Sequence, residues 1–464
     1  MHKLAVACLL TAATLSGCAV GPDYKRPEDP VVQLRQPAGF DNAKMERDWW
    51  GQFNDPTLNQ LVNAALNSNH SLAAAKDRVQ AAYALLADRR NDNLPKGDLG
   101  VDYSSSKAPV ATAYDTRIKD EHFRTGASLS WELDLFGRIR RSVQMAEADA
   151  QASTASLRQV QVNMIAAVVS SYGDLRAAQQ RVVVAQKNLA NLKEVVKLTE
   201  FRFQNGSGSE LDVSRTKAQY AGTEAELPPL QAQIERDMRQ LEVLTGQTPG
   251  SLTTTLQLPA QLPAVNQPLH LGNLADLLRR RPDIQLAERH LASATASIGV
   301  ATADLFPHVE MSGFLGFVSA RGSQLTNSGS QAWSIAPSLS WPLFDLGSVE
   351  DRIDQSQYNA DALLQDYRHT VLNALGETQN ALTDYSHQQD QLRLLLEQEN
   401  YSGKAQSLAQ EQYRAGIISL LDVLDTERTK LAAEDAVVQA ELGTYLGIVE
   451  LYRSLGGGWE PEGA

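Results

Sequence analysis

Apolar positions along the chain follow two periods, and the switches between them mark its elements. From Asp55-Pro56 onward, Leu58, Leu61, Val62, Ala65 and Leu66 recur at spacings of three and four, which places them on one helical face. Asn67-Ser68-Asn69-His70 interrupts that face, and a second, Ala-rich helix is predicted from about Ser71 to Asn91, ahead of Pro95. The period then falls to two. Leu99, Val101 and Tyr103 alternate with polar residues, then Phe123, Ala127, Leu129, Trp131 and Leu133, predicting strands over about 98–108 and 122–136. Helical spacing returns from about Arg138 to Gln204, a stretch of about 100 Å at 1.5 Å per residue. Within it Val168, Ser171, Leu175, Ala178, Val182, Ala185, Leu189, Leu192, Val196, Thr199 and Phe203 form an unbroken coiled-coil seam. Asn205-Gly206-Ser207-Gly208 turns the chain, and a helix of about half that length is predicted from about Asp212 to Leu244.

The whole pattern is written twice. Leu129-Ser130-Trp131 returns as Leu339-Ser340-Trp341, Gly137 as Gly347, Phe203 as Tyr413, Gly206 as Gly416, Leu211-Asp212-Val213 as Leu421-Asp422-Val423, and Gly246 as Gly456. Upstream the offset grows slightly, with Leu66, Ala75 and Pro95 matching Leu278, Ala287 and Pro307. The second half therefore carries strands over about 308–320 and 331–345, a helix at about 283–304, and a final helix at about 421–455. Hairpin tips fall at about 204–212 and 414–422. The short helix at 283–304 supplies the length that the one at 212–244 lacks, and by symmetry 71–91 completes 421–455. Pro228-Pro229 has no counterpart at Val438-Gln439, so one rising helix is expected to kink where the other does not.

Two strands per half, each with one apolar face, are long enough to cross a bilayer when tilted. The same signal also fits a hairpin packed on a soluble core. Four strands cannot close a membrane barrel, which needs about eight, so membrane-crossing strands would have to be shared among several chains.

Charge and cysteine usage narrow the classes. A net charge of -13 excludes a general nucleic-acid surface. Both cysteines lie in the first eighteen residues, which leaves no disulfide or Cys-based metal site for the body of the chain. The eight histidines are scattered, no convergent catalytic set is found, and no cofactor or metal is expected. His2-Lys3, the apolar run Leu4 to Thr14 and Leu15-Ser16-Gly17-Cys18 read as a signal peptide over 1–17. The tetrapeptide resembles the bacterial lipobox, which implies cleavage before Cys18 and covalent lipid on it. Residues 18–55 read as an extended, Pro-containing segment with Trp49, Trp50 and Phe53 as packing anchors, followed by repeat 1 over 56–260 and repeat 2 over 261–464.

Four stretches, in this order on a duplicated frame, resemble the outer-membrane factor family, the TolC-like exit ducts, in its lipoprotein branch of OprM and NodT type. They are Cys18-Ala19-Val20-Gly21-Pro22-Asp23-Tyr24, Trp131-Glu132-Leu133-Asp134-Leu135-Phe136-Gly137, Leu278-Arg279-Arg280-Arg281-Pro282-Asp283-Ile284 and Leu455-Gly456-Gly457-Gly458-Trp459-Glu460. The resemblance implies a mainly α fold with a membrane β portion, three chains building a twelve-stranded β-barrel continued by a twelve-helix α-barrel. It implies a Gram-negative outer-membrane location and a gated efflux duct. The implied partners are a periplasmic adaptor and a proton-driven inner-membrane pump. An exit duct for secreted proteins, or a periplasmic coiled-coil scaffold without a pore, are the alternatives. The family's periplasmic gate falls on Asp212, Tyr413, Asp422 and Asp425, and adaptor contact on the tips at Gly206 and Gly416. A gate-locking Arg of the TolC branch falls on Ile418, so that salt bridge is expected to be absent, with Arg414 or Arg215 as possible substitutes. The same gate carboxylates also suit helix capping, a role compatible with gating.

Overall fold

A computed structural model describes residues 19–28, 40–41, 45–107, 119–265, 268–271 and 280–459. Cys18 lies outside the described residues. In chain order the regular elements are β1 (Phe40–Asp41), α1 (Pro56–Ser68), α2 (His70–Asn91), β2 (Lys96–Lys107), β3 (Lys119–Leu133), α3 (Arg138–Gln204), α4 (Glu210–Glu224) and α5 (Leu227–Leu244). There follow β4 (Leu269–His270), α6 (Pro282–Ala303), β5 (His308–Ser319), β6 (Gln331–Ser340), α7 (Leu346–Arg414) and α8 (Leu420–Ser454). The predicted kink is a break between α4 and α5 at Ala225–Glu226, with Pro228-Pro229 in the first turn of α5, where a missing N–H costs least. Its counterpart α8 runs unbroken for 35 residues.

The chain divides into two compact units, each drawing on both repeats. The first takes residues 1–28, 78–154 and 286–369 and holds the four-stranded antiparallel sheet, in the order β2-β3-β5-β6. The register puts Leu99, Ala127, Leu315 and Trp333 in one row, and Gly97, Leu129, Gly313 and Ile335 in the next. That face is apolar yet exposed, with Leu99 88 % and Trp333 75 % accessible, so it is built to meet something other than water. The opposite face carries Asp98, Ser128, Ser334, Asp102, Arg124, Ser130 and Ser312.

The Trp131 to Gly137 stretch joins β3 to α3 in this unit. Trp131 donates its indole N–H to Asn93 O at 3.0 Å, and its repeat counterpart Trp341 does the same to Leu305 O at 3.0 Å. Asp134 caps α3 by accepting from the amides of Ile139 and Arg140 at 2.9 and 3.0 Å. Phe136 stacks on Phe306 at 4.6 Å and accepts from Val20 N at 3.1 Å. Buried Arg141 holds the incoming segment, donating to Val20 O and Gly21 O at 3.0 Å each and pairing with Asp23 at 2.9 Å. The first described residues are thereby fixed beside the end of β3.

The second unit, residues 29–77, 155–285 and 370–464, holds the main apolar core. Trp49, Trp50 and Phe53 enter it as anchors, Trp49 stacked on Tyr452 at 4.9 Å and Phe53 against Tyr445 at 4.5 Å. Asp55 caps α1 through Thr57 N and Leu58 N and accepts from Tyr172 Oη at 2.6 Å. Burial, then that hydrogen bond to a carboxylate, pushes the Tyr172 phenol up to about 12. β1 pairs in parallel with β4, an addition that two-residue strands give no period to foretell. The coiled-coil seam is buried or half-buried from Val168 to Thr199, but Phe203 departs from it and is 45 % exposed.

Candidate functional site

The two hairpin tips of the second unit share one backbone. At each, a helix ends in a glycine with positive φ, Gly206 at 73° and Gly416 at 74°, a conformation that costs a side chain but not glycine. Ser207 N donates back to Arg202 O at 2.9 Å, and Ile417 N to Gln412 O at 2.9 Å, closing the helix ends. Serine then caps the next helix. Ser209 Oγ accepts from Asp212 N at 3.1 Å and donates to Asp212 Oδ2 at 2.8 Å. Ser419 does the same for Asp422, whose carboxylate also accepts from Ser419 N at 3.0 Å, completing a capping box. The hydroxyl and amide of Ser419 hold the Asp422 carboxyl below its ordinary value.

The sequence-selected residues are not all brought together. Tyr413 and Ile418 join Leu192, Val195, Leu420, Val423 and Leu424 in one apolar cluster, so Ile418 packs where a salt-bridging Arg was the alternative. Asp212 and Asp422 stay on their own tips as caps. Asp425 stands exposed and pairs with Arg428 at 2.8 Å, one turn along α8. Gly206 and Gly416 lie on open surface, with nothing within 4 Å of where a Cβ would sit. Neither Arg414 nor Arg215 forms an ion pair among the described residues.

The arginine that links the tips is one that periodicity did not single out. Arg202 of α3 sets its guanidinium 4.3 Å over the Tyr413 ring and donates to Tyr413 O at 3.1 Å. Its repeat counterpart is Gln412, and that unmatched charge beside a matched aromatic pair is the signal that would have found it. Behind the tips, Glu427 is buried and accepts from Gln406 and Gln410 at 2.6 Å each. In repeat 1 the positions of Glu427 and Gln410 hold Lys217 and Glu200, an ion pair at 2.8 Å. Each hairpin is thus tied at the same level by different chemistry. Arg181 to Asp435 at 2.5 Å and Asn188 to Glu434 at 2.8 Å join α3 to α8 further up.

Comparison with known proteins agrees with this architecture. The family model described as outer membrane efflux protein matches residues 61–247 and again 273–457, one match per repeat. The chain is 30 % identical over 443 residues to nodulation protein T of Rhizobium leguminosarum bv. trifolii, covering 92 % of this chain and 91 % of that one. It is also 30 % identical over 470 residues to the toluene efflux pump outer membrane protein TtgC of Pseudomonas putida, covering 99 % and 96 %. Among solved structures, the outer-membrane channel OprN superposes with a TM-score of 0.93 at 46 % identity, over 96 % of this chain and 100 % of that one. The open state of the Neisseria gonorrhoeae MtrE channel superposes at 0.80 with 27 % identity, over 95 % and 98 %. The chain belongs to the outer membrane efflux protein family and is an outer-membrane channel protein of TolC-like fold.

Proposed function

We propose that three copies of this chain assemble into one duct, their sheets closing a twelve-stranded barrel in the outer membrane and their long helices a twelve-helix barrel in the periplasm. The observation that carries the reading is the sheet. Among the described residues β2 and β6 are each paired on one side only, and one whole face is apolar and exposed. Water penalises the exposed apolar face and lipid penalises the free edges, so pairing β6 of one copy with β2 of the next closes the edges and leaves the apolar face to the lipid. Acyl chains on Cys18 fit this placement, since Ala19 and Val20 lie against the end of β3.

The duct is passive and has no catalytic step of its own. A proton-driven inner-membrane pump supplies the energy, and a periplasmic adaptor meets the tips at Gly206 and Gly416. Asp212, Tyr413, Asp422 and Asp425 form the gate, where threefold repetition of the carboxylates favours cations over anions. Planar-bilayer recordings of the purified protein test both levels of the reading. The parent conducts weakly, and Asp422→Ala with Asp425→Ala conducts several-fold more. An unchanged current removes the carboxylates from the gate, and no current from either protein removes the duct.

A further inference from the structure

Phe314 is the one buried side chain among the described residues of the four-stranded sheet, at 9 % exposure. It sits on the wrong face for an apolar group. Even-numbered residues of all four strands share the polar face, and on it only Phe314 and Val318 are large and apolar. Its burial comes from below and above. The neighbouring row is Gly100, Gly126, Gly316 and Ala332, a floor almost without side chains. A Cβ on Gly126 would come 2.9 Å from Phe314 Cε2, and one on Gly316 2.9 Å from Phe314 Cζ, so the ring lies flat across both glycines. Arg124 covers it, its guanidinium 3.9 Å from the ring centroid. The nearest acid in register, Asp102, forms no ion pair with it, so the cation is spent on the ring.

We infer that Arg124 and Phe314 together set the clear width of the bore within the outer-membrane sheet, Arg124 acting as a positioning residue that keeps the Phe314 ring against the wall. This rests on the reading above, that the polar faces of three sheets line a shared bore. A phenyl ring standing upright there would project from the wall, and threefold repetition would narrow the passage from three sides. The device is specific to one repeat pairing. At the offset that relates Pro95 to Pro307, Phe314 corresponds to Asp102, and at that of Trp131 to Trp341, Arg124 corresponds to Ser334. A trimer therefore has three such stacks and not six. The class of solute it would discriminate is set by cross-section rather than charge.

The test uses Ser334→Cys, a position paired in register with Phe314 on the same face. Maleimides of graded size are added outside intact cells. Small reagents label the parent and all variants alike. Large reagents label Arg124→Gln several-fold more slowly than the parent, although glutamine is the smaller side chain. Phe314→Ala alone labels like the parent, the double variant Arg124→Gln with Phe314→Ala returns to the parental rate, and Arg124→Lys, which keeps a cation near the ring, stays close to it. Equal or faster labelling of Arg124→Gln, or failure of Phe314→Ala to cancel its effect, overturns the inference. If even small maleimides never reach Ser334→Cys in the parent, the shared bore itself is wrong and the inference falls with it.

Discussion

Removing the Arg281 guanidinium should loosen the second unit more than removing any comparable surface charge. Arg281 is 7 % exposed. Its Nη1 donates to Ser454 O at 2.9 Å, the last turn of α8. Its Nε and Nη2 form a fork on Asp283 at 3.0 and 2.7 Å, and Nη2 also reaches Glu377 of α7 at 2.7 Å. Burial pulls its pKa down, but hydrogen bonds to and the charges of Asp283 and Glu377 outweigh that and hold it above the ordinary value. Breaking a fully buried pair costs about 3–5 kcal/mol. Here the side chains of Asp283 and Glu377 are 23 % and 43 % exposed and regain water when the cation leaves. The expected cost of Arg281→Ala is therefore about 2–3 kcal/mol, roughly half from the lost charge-assisted bond to Ser454 O and half from unfilled volume. Arg281→Lys keeps the charge and loses the fork, at about 1 kcal/mol. Unfolding of the full-length protein in detergent, followed by far-UV circular dichroism after a denaturant jump, should be faster by about 10–100-fold for Arg281→Ala, with Arg281→Lys between it and the parent. Parental rates for both variants would refute the clamp. Asn69, at the equivalent place in repeat 1, donates to Leu244 O at 2.8 Å and accepts from Leu72 N at 2.9 Å, so Asn69→Ala supplies the neutral comparison at about 1 kcal/mol.

Two further outcomes follow from single residues. Burial first, and the nearby Asp174 charge, push the Asp237 carboxyl up from 3.8 to about 6, against a hydrogen bond from Gln233. Folding thus favours its protonated form, so its contribution to stability is complete below about pH 4 and lost as pH rises through 6. The full linkage is at most about 3 kcal/mol, consistent with a buried carboxyl whose Oδ2 has no hydrogen-bond partner. Asp237→Asn should therefore stabilise the protein at pH 7 and flatten its stability between pH 4 and 6, read from unfolding rates across that range. Gly206→Ala and Gly416→Ala each meet open space at positive φ, so each should cost only the backbone term of about 1 kcal/mol, measured by the same unfolding assay.

Periodicity made the long elements legible because each carries many residues that must agree. The strands lie within three residues of their expected bounds except β6, which ends at Ser340 and not at about 345, and Pro228-Pro229 marked the break between α4 and α5. It could not reveal β1 and β4, whose two residues each have no period. Nor could it show that Arg202 reaches Tyr413, since residues 211 apart meet only through tertiary packing. Phe203 and Tyr413 looked equivalent as a matched aromatic pair, yet one is 45 % and the other 7 % exposed, because only Tyr413 has Arg202 and Leu420 beside it.

That inequality bears on which carboxylates gate. Duplication preserves what the backbone requires in both copies, so Gly206 and Gly416 keep one φ, and Asp212 and Asp422 keep one capping role. Capping accounts for their being alike in both repeats and is compatible with a place in the gate. Asp425 differs, for its repeat counterpart is Arg215, as Tyr413 faces Phe203 and Ile418 faces Gly208. In the proposed ring of three chains these positions would alternate acid with base and buried aromatic with exposed, and alternation of this kind is what contacts between unlike neighbours need. Within the proposed gate Asp425 is therefore expected to carry the larger share of the double variant's rise in conductance, its carboxylate pairing among the described residues only with the exposed Arg428, while Asp422 serves the gate and caps a helix start at once.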